Sequence, residues 1–563
     1  MRVTNKMIMN NASSNINTTK ECVNKRNKQM TSQKKIDRPS DDPVVAVRSL
    51  RLSTTLSQVT QYYQKNIPDA TSWLDVTETA LLNIRAIATD CRNIAVKGST
   101  DTYNESDRNT MITQLESLQK QIFAEGNSDY ANRTVFTGYR TNNNLTFTEK
   151  EENTRYRIQQ RVTIENNMEE HRYYSGTNEI PTTEASIAAP SLSPTDPGYT
   201  EINDMAVNTY YRLRMNYGEL ENLNSINVKY ADGTAINFQY QKATDADTYP
   251  NKENDPTTGL PTTPITLNDG GYTLITYDNE TEWCNSEIKN TSDPANPAKP
   301  IGQKTVPDDC IIVIKETGDV ILGNGVADAF KKNNATIDVE YDKIGFDEGE
   351  LRPEYYYNCT KLDDPKAVDV PVTYTKFDSD GNRIYFDIEY TIAANQTINI
   401  NTEACDVFNS DIQRDLTEMI DAVKNQIAAH DKKDEIERML KESQYQSDTD
   451  QEWLNKWLDA IQKECDYFDD NVQKLFSTEL GKIDTYYAKI SLGITDLGCK
   501  KDSLQLTGTR VGDQRETVQE LQSNNDDLDL SQIIIDYTAA YTAYQASLTA
   551  AGKLGDSTLL NYL

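Results

Sequence analysis

Histidine is almost absent: His171 and His430 are the only two in 563 residues. Glu169 and Glu170 precede His171, but no HExxH pairs it with a second ligand, so a zinc-peptidase centre has no donor set. There is also no G-x-S-x-G elbow, no Walker loop and no GxGxxG turn. Eight cysteines, at 22, 91, 284, 310, 359, 405, 465 and 499, lie far apart with no CxxC, unlike metal sites or disulfide scaffolds. They read as small hydrophobes in a reduced chain. No catalytic residue, cofactor or metal is therefore expected, and the chain reads as no enzyme.

Apolar residues are scarce as well, at 37% with a mean hydropathy of -0.71. A thin core and an elongated shape follow more naturally than a sphere. The purest apolar runs, such as Val44 to Val47 and Ile311 to Ile314, fall far short of the ~18 residues that cross a bilayer. The opening MRVTNKMIMNNASSN lacks the apolar centre of a secretory signal peptide. Positive charge is short too: 57 basic against 88 acidic residues leave -31, which repels phosphate backbones and anionic lipid alike. Neither nucleic acid nor membrane insertion is expected.

What the chain has instead is helical periodicity at both ends. Leu52, Leu56, Val59, Tyr63, Asn66, Ala70, Trp73, Thr77, Ala80, Ile84, Ile87, Cys91 and Ile94 step by alternating four and three, the seam of a helix packed along another of similar length. Pro68 interrupts or kinks it. Met111, Leu115, Leu118 and Ile122 mark a further helix that stops at Gly126. Far downstream, Phe476, Ile483, Ile490, Leu497, Leu504, Val511 and Val518 recur at intervals of seven, preceded by a shorter seam at Leu416, Ile420, Val423 and Ile427. The charged stretch from Asp431 to Asp450 reads as a solvated face or loop, and Asn524 to Asp529 as a break.

The two extreme ends carry narrower stripes. Met9, Ile16, Val23 and Met30 repeat at seven among polar neighbours, and Ile534, Tyr537, Tyr541, Tyr544, Leu548 and Ala551 form a last stripe before the closing Leu559, Leu560, Tyr562 and Leu563. One apolar row is a poor core, so the first helix is marginal alone and needs another surface. The last stripe is its natural mate. Candidate assembly-interface residues are Met9, Ile16, Val23, Met30, Ile534, Tyr537, Tyr541, Tyr544, Leu548, Leu560 and Leu563. Between the first two helices, Arg38, Pro39, Ser40, Asp41, Asp42 and Pro43 read as an inter-domain joint, with Asp42 capping a helix that begins at Pro43 and Pro39 discouraging continuation from before.

The middle, roughly 145 to 405, is rich in Thr, Tyr, Val and Ile and reads as strands: RYRI, RVTI, INVKYADGTAINFQY, CIIVIKETGDVIL, TIDVEY, VTYTKFDSDGNRIYFDIEY and TINI. Asp232-Gly233, Thr317-Gly318 and Asp380-Gly381 supply three hairpin turns. The run Asp378 to Asn382 starts like a calcium loop but lacks the later Glu, so a turn is the better reading. The expected fold class is α+β: a long antiparallel helical bundle built from both terminal regions, with an inserted β-rich domain. The expected divisions are 1–40, a first helix disordered before assembly; 41–145 and 411–524, the two halves of the bundle; 146–410, the inserted domain; and 525–563, an assembly helix.

MRVTNKM at the start, IDRPSDDPVVAVRSLRL, and the Trp73-containing helix after it together resemble the N-terminal region of the flagellin superfamily. Filament subunits there usually carry an alanine-rich stretch after the paired Asp, whereas Pro43 stands here, which favours the branch that joins hook to filament. Asn127, Tyr130, Arg133, Val135, Phe136 and Gly138 resemble the segment ending R-Y-L-F-x-G, with Thr134 in place of the aromatic. LDLSQIIIDYTAAYTAYQASLTAAGKLGDSTLLNYL is similar to the family's last helix, and TINI with Val407-Phe408 resembles the re-entry into its shared part.

The resemblance covers approximately 1 to 150 and 475 to 563. It implies a structural protein of the junction layer between hook and filament, located on the bacterial flagellum outside the cell and exported without a cleaved signal peptide. Implied partners are the hook-side junction protein (hook-associated protein 1), flagellin, copies of itself in a ring or helical layer, and a cytoplasmic flagellar export chaperone. A flagellin-like filament subunit, or a glycan-binding or enzymatic middle domain on such a scaffold, are the alternatives.

Overall fold

The computed structural model describes residues 5–100, 105–175, 178–193, 199–200, 202, 206–239, 265–285, 306–362, 371–379 and 381–556. The fold is α+β, with long helices at both ends and a β-rich middle. Two compact units are formed, one from Met1–Leu74, Glu389–Ile400 and Gly498–Leu563, the other from Asp75–Ile388 and Asn401–Leu497.

The first unit holds the helices Asn5–Ser32, Pro43–Gln61 and Leu530–Asp556, the start of Ile67–Gly98 and the end of Asp448–Asp526. Pro68 has no amide hydrogen to offer the carbonyl four residues back. The helix answers with a π turn over Tyr62–Asn66, in which the N–H of Ile67 reaches the carbonyl of Tyr62. The extra residue shifts the seam: Val59, Ile67 and Ala70 are buried, but Tyr63 is 39% exposed. Tyr63 still lies against the returning helix, its ring 4.8 Å from the Arg515 guanidinium and 3.1 Å from where a Cβ on Gly512 would stand.

A hairpin of Glu389–Ala393 and Gln396–Asn399 is fastened at this turn. Asn66 Nδ2 donates to the carbonyl of Thr391 at 2.7 Å, and the Tyr390 hydroxyl to Asp69. On its other side Gln396 bonds Thr507 at 3.4 Å and accepts from Arg510.

In the second unit two six-stranded sheets share a core. One runs Glu169–Ser175, Ala206–Arg214, Asp319–Leu322, Cys310–Ile314, Tyr272–Tyr277, Ile265–Asp269. The other runs Val372–Tyr374, Asn358–Lys361, Glu151–Thr163, Thr336–Phe346, Leu220–Lys229, Ala235–Gln239. Ile158, Leu223, Ile226 and Val339 of the second sheet meet Leu213, Leu274, Val313 and Leu322 of the first, with Phe330 of the short helix Asn324–Lys332. Ile312, Ile314 and Ile321 point the other way, to Trp283 and Tyr210. Both faces of Cys310–Ile314 are therefore covered, which is why its sequence is continuously apolar.

RYRI and RVTI belong to the single strand Glu151–Thr163. Gly233 and Gly318 turn their hairpins at φ of +90° and +69°. The third expected hairpin is reduced to a tight turn at Gly381, φ +85°, closed by the lone bridge of Phe377 with Arg383. Its arms go elsewhere: Val372–Tyr374 pairs Asn358–Lys361, and Glu389–Ala393 pairs Gln396–Asn399.

The helices of this unit follow the apolar seams. Phe476, Ile483, Ile490 and Leu497 are all buried, as are Met111, Leu115 and Ile122 of the helix Glu105–Gly126. A smaller core fills the hairpin made by Ile412–Lys441 and the start of Asp448–Asp526, where Trp457 Nε1 donates to the carbonyl of Ile187 at 3.2 Å. The charged run from Asp431 thus caps a helical hairpin, turning through Ser443–Tyr445.

Candidate assembly site at the chain ends

The helix Asn5–Ser32 has no acidic residue in its first turn and a broad polar surface, so its own sequence does little to hold it. It pairs with Leu530–Asp556, the other marginal helix. The pairing is antiparallel: Lys34 meets Asp527 in a β-bridge and an ion pair, while Arg26, two turns earlier, stands 3.6 Å from Asp536, further along the partner. Backbone bonds lock the crossing, from Lys35 N–H to the carbonyl of Asp526 at 2.8 Å and from Leu528 N–H to that of Gln33 at 3.0 Å.

The first helix ends at Ser32, where Gln33 takes a left-handed φ of +56°. Its end lies well before Pro39, so the proline is not its terminator. Gln29, buried, sends its side-chain amide to the carbonyl of Lys35 at 2.6 Å. In the joint, Asp41 accepts the N–H groups of Asp37 at 3.2 Å and Arg38 at 2.9 Å, and these bonds hold its carboxyl below the usual range. Asp42 accepts from Val44 at 3.0 Å and Val45 at 3.2 Å, with Pro43 in the first helical turn. Ser49 and Asn525 tie the following helix to the crossing, through Asp526 at 2.8 Å and the carbonyl of Val45 at 3.2 Å. Hydrogen bonding to Lys34 also lowers the Asp527 carboxyl and raises the Lys34 ammonium.

The sequence-derived stripes divide here. Ile16, Val23 and Met30 are half-buried on the first helix, with Ile8, Ala12 and Thr19 beside them, whereas Met9 is 59% exposed. On the last helix Tyr537 and Tyr544 are half-buried and Ile533 is fully covered, but Ile534, Tyr541 and Leu548 stand 48%, 44% and 44% exposed. These three recur at seven, so they form a second row that this chain leaves open. Leu560 and Leu563 lie outside the described residues. Arg38, Pro39, Ser40, Asp41 and Pro43 are exposed and Asp42 half-buried.

Sequence reasoning missed Ile533, Gln33, Gln29 and the Asp526-Asp527 pair. The run Ile533-Ile534-Ile535 offers an apolar residue at every phase, so period alone does not choose among them. The bonds at Gln33 and Asp526 are backbone bonds with no signature in side-chain type.

The motif around residue 133 has a structural role of its own. Asn127 accepts from the N–H groups of Leu145 at 2.8 Å and Thr146 at 3.1 Å, and Phe136 meets Phe408 edge-on at 4.9 Å. Thr134 forms a buried hydroxyl hub, bonded to Thr137 at 2.5 Å and the carbonyl of Asn143 at 2.8 Å. Gly138, at φ +65°, packs against Glu403.

Residues 3–141 match the bacterial flagellin N-terminal helical region. The flagellar hook-associated protein 3 of Salmonella typhimurium is 28% identical over 142 residues, covering 25% of this chain and 44% of that protein. The Escherichia coli protein of the same name is 29% identical over 118 residues, covering 21% and 37%. The chain therefore spans less than half the length of these curated relatives. Among solved structures, a flagellar hook associated protein-3 from Legionella pneumophila covers 84% of this chain and 97% of its own at 10% identity, with a TM-score of 0.27. At that score nothing of its arrangement transfers. Residues 3–141 are thus similar to the helical N-terminal region of the bacterial flagellins, and among curated proteins the likeness runs to flagellar hook-associated protein 3.

Proposed function

We propose that this chain is a structural, non-catalytic subunit of the bacterial flagellum that forms the junction layer between hook and filament. The reading is supported by one observation above the others: the flagellin-type N-terminal region carries the helix that pairs with the last helix of the chain, and that pair leaves the row Ile534, Tyr541, Leu548 uncovered. Ordering a backbone residue costs about 1–2 kcal/mol. A two-helix pair with this much open apolar surface gains only part of that back from its own contacts, and neighbouring subunits supply the rest. Head-to-tail packing of unlike faces then gives a ring or helical layer of copies.

In this proposal hook-associated protein 1 binds one side and flagellin the other. An export chaperone holds the last helix in the cytoplasm, and the chain leaves by the flagellum's own export route. The helices Asn5–Ser32 and Leu530–Asp556 hold each other only marginally in the free subunit and gain further order on assembly, and Arg38 to Pro43 serve as the joint between them and the rest.

The test is genetic. Removing the hook-side partner should release this protein into the medium, and deleting 534–563 should abolish its incorporation while the β-rich region stays folded. Normal motility in the deletion strain overturns the reading. Long filaments grown by the purified protein alone point to a filament subunit instead.

A further inference from the structure

Between the strands Glu169–Ser175 and Ala206–Arg214 and the helices Ile412–Lys441 and Asp448–Asp526 lies a cluster of charges that the flagellar reading does not use. Arg212 binds Glu169 at 3.1 Å and Glu418 at 2.8 Å. Arg214 binds Glu418 at 2.7 Å and Asp415 more closely. Lys482 reaches Glu169, Asp415 at 3.3 Å and Glu479 at 2.8 Å, and the Tyr486 hydroxyl donates to Asp415.

Three cations, Arg212, Arg214 and Lys482, thus meet three carboxylates, Glu169, Asp415 and Glu418. Glu479 is a fourth. It is 0% exposed, its one ion-pair partner among the described residues is a lysine already shared with two other acids, and its Oε2 has no hydrogen-bond partner among them. A buried ion with half its lone pairs empty and no cation of its own is costly, and neutralising it is the cheaper state.

We propose that Glu479 is a proton-binding switch: in the folded chain it stands as the neutral acid, and loss of its proton loosens the clasp between these two strands and these two helices. The other groups facing it do not remove the need. Asp411 is occupied by the Asn216 amide at 2.7 Å, Arg414 is spent on the carbonyls of Met215 and Thr317, and Asp319 interacts electrostatically with Arg212. His171 is kept neutral, its pKa lowered to about 4 by burial and by Arg212. Burial and Asp415 together push the Glu479 carboxyl up to about 7, against the pull of Lys482.

The two groups oppose each other in pH. Glu479 makes the clasp weaker as pH rises from its opened-state value near 4.5 to about 7, while His171 makes it stronger between about 4 and 6.5. The measurement is amide exchange of the full chain, read on peptides spanning 169–175 and 206–214 from pH 5 to 8 and corrected for intrinsic rates. Relative to Glu479→Gln, the opening constant of the wild type should climb by about tenfold per pH unit up to neutrality and then level off. With Glu479→Gln alone, protection should rise toward pH 6.5, and adding His171→Gln should flatten it. Parallel wild-type and Glu479→Gln profiles overturn the proposal. Infrared spectra of the unsubstituted protein give a second reading that needs no variant: a protonated carboxyl C=O band assigned by isotope-labelled Glu must be present at pH 6 and gone above pH 8, and its absence at pH 6 also overturns it.

Discussion

The carbonyl of Gln33 accepts the N–H of Leu528 at 3.0 Å, so the turn after the first helix is stitched by backbone to the turn before the last. Gln33 makes this bond from a left-handed conformation, φ +56°, which a side chain with a Cβ adopts at a cost. Gln33→Gly should therefore keep the crossing and raise stability by about 0.5–1 kcal/mol, read as a shift in the urea midpoint.

The last helix offers a direct separation of its two rows. Ile533→Ala empties a fully covered position and should cost about 2–4 kcal/mol, with loss of amide protection across residues 5–32. Tyr541→Asp changes a residue that is 44% exposed. It should leave the stability of the free subunit within ~0.5 kcal/mol yet block incorporation into flagella. Equal loss of stability in both variants would remove the argument for an open row.

Asn66 holds the small hairpin to the π turn through a single 2.7 Å bond to the carbonyl of Thr391. Asn66→Ala should cost about 1 kcal/mol and raise exchange in 389–399 without altering the β sandwich.

Gly98 faces the ring of Phe476, and a Cβ there would stand 2.3 Å from Cδ1 of a fully buried side chain. Gly98→Ala should destabilise by about 1–3 kcal/mol, measured by thermal unfolding.

Acid should open the ionic cluster from the opposite side to Glu479. Burial disfavours the charged form of Glu418, but Arg212 and Arg214 outweigh it and hold the carboxyl at about 2. Its stabilisation is present above the ordinary value of 4.5 and is lost as pH falls through about 2. Arg212→Met strands Glu169 and Glu418 with fewer partners. Near neutral pH it should cost about 3–5 kcal/mol, and in urea titrations the acid loss that starts near 4.5 should be smaller and end at a higher pH, because the folded-state Glu418 carboxyl rises toward its ordinary value.

Much of this architecture is readable in the residues themselves. The row from Phe476 to Val518 is buried at every step, because a helix packed along its length repeats its contact every seven residues. Asp42 caps its helix as its type and place before Pro43 require, and Gly233 and Gly318 turn their hairpins. Reading faltered where period and phase part company. At Tyr63 the π turn forced by Pro68 slips the seam, and at Ile533 to Ile535 three apolar neighbours leave the inward one undecided.

Periodicity, caps and turn residues are local properties, and the sequence alone determined them: the helical seams, the cap at Asp42 and the turns at Gly233 and Gly318, though not which strands flank the turn at Gly381. The meeting of Glu169, Arg212, Glu418, Glu479 and Lys482 was decided only by tertiary structure, since no spacing along the chain reports which distant charges share one low-dielectric space. The same holds for Gln33 and Leu528, whose bond uses backbone groups that every residue type carries.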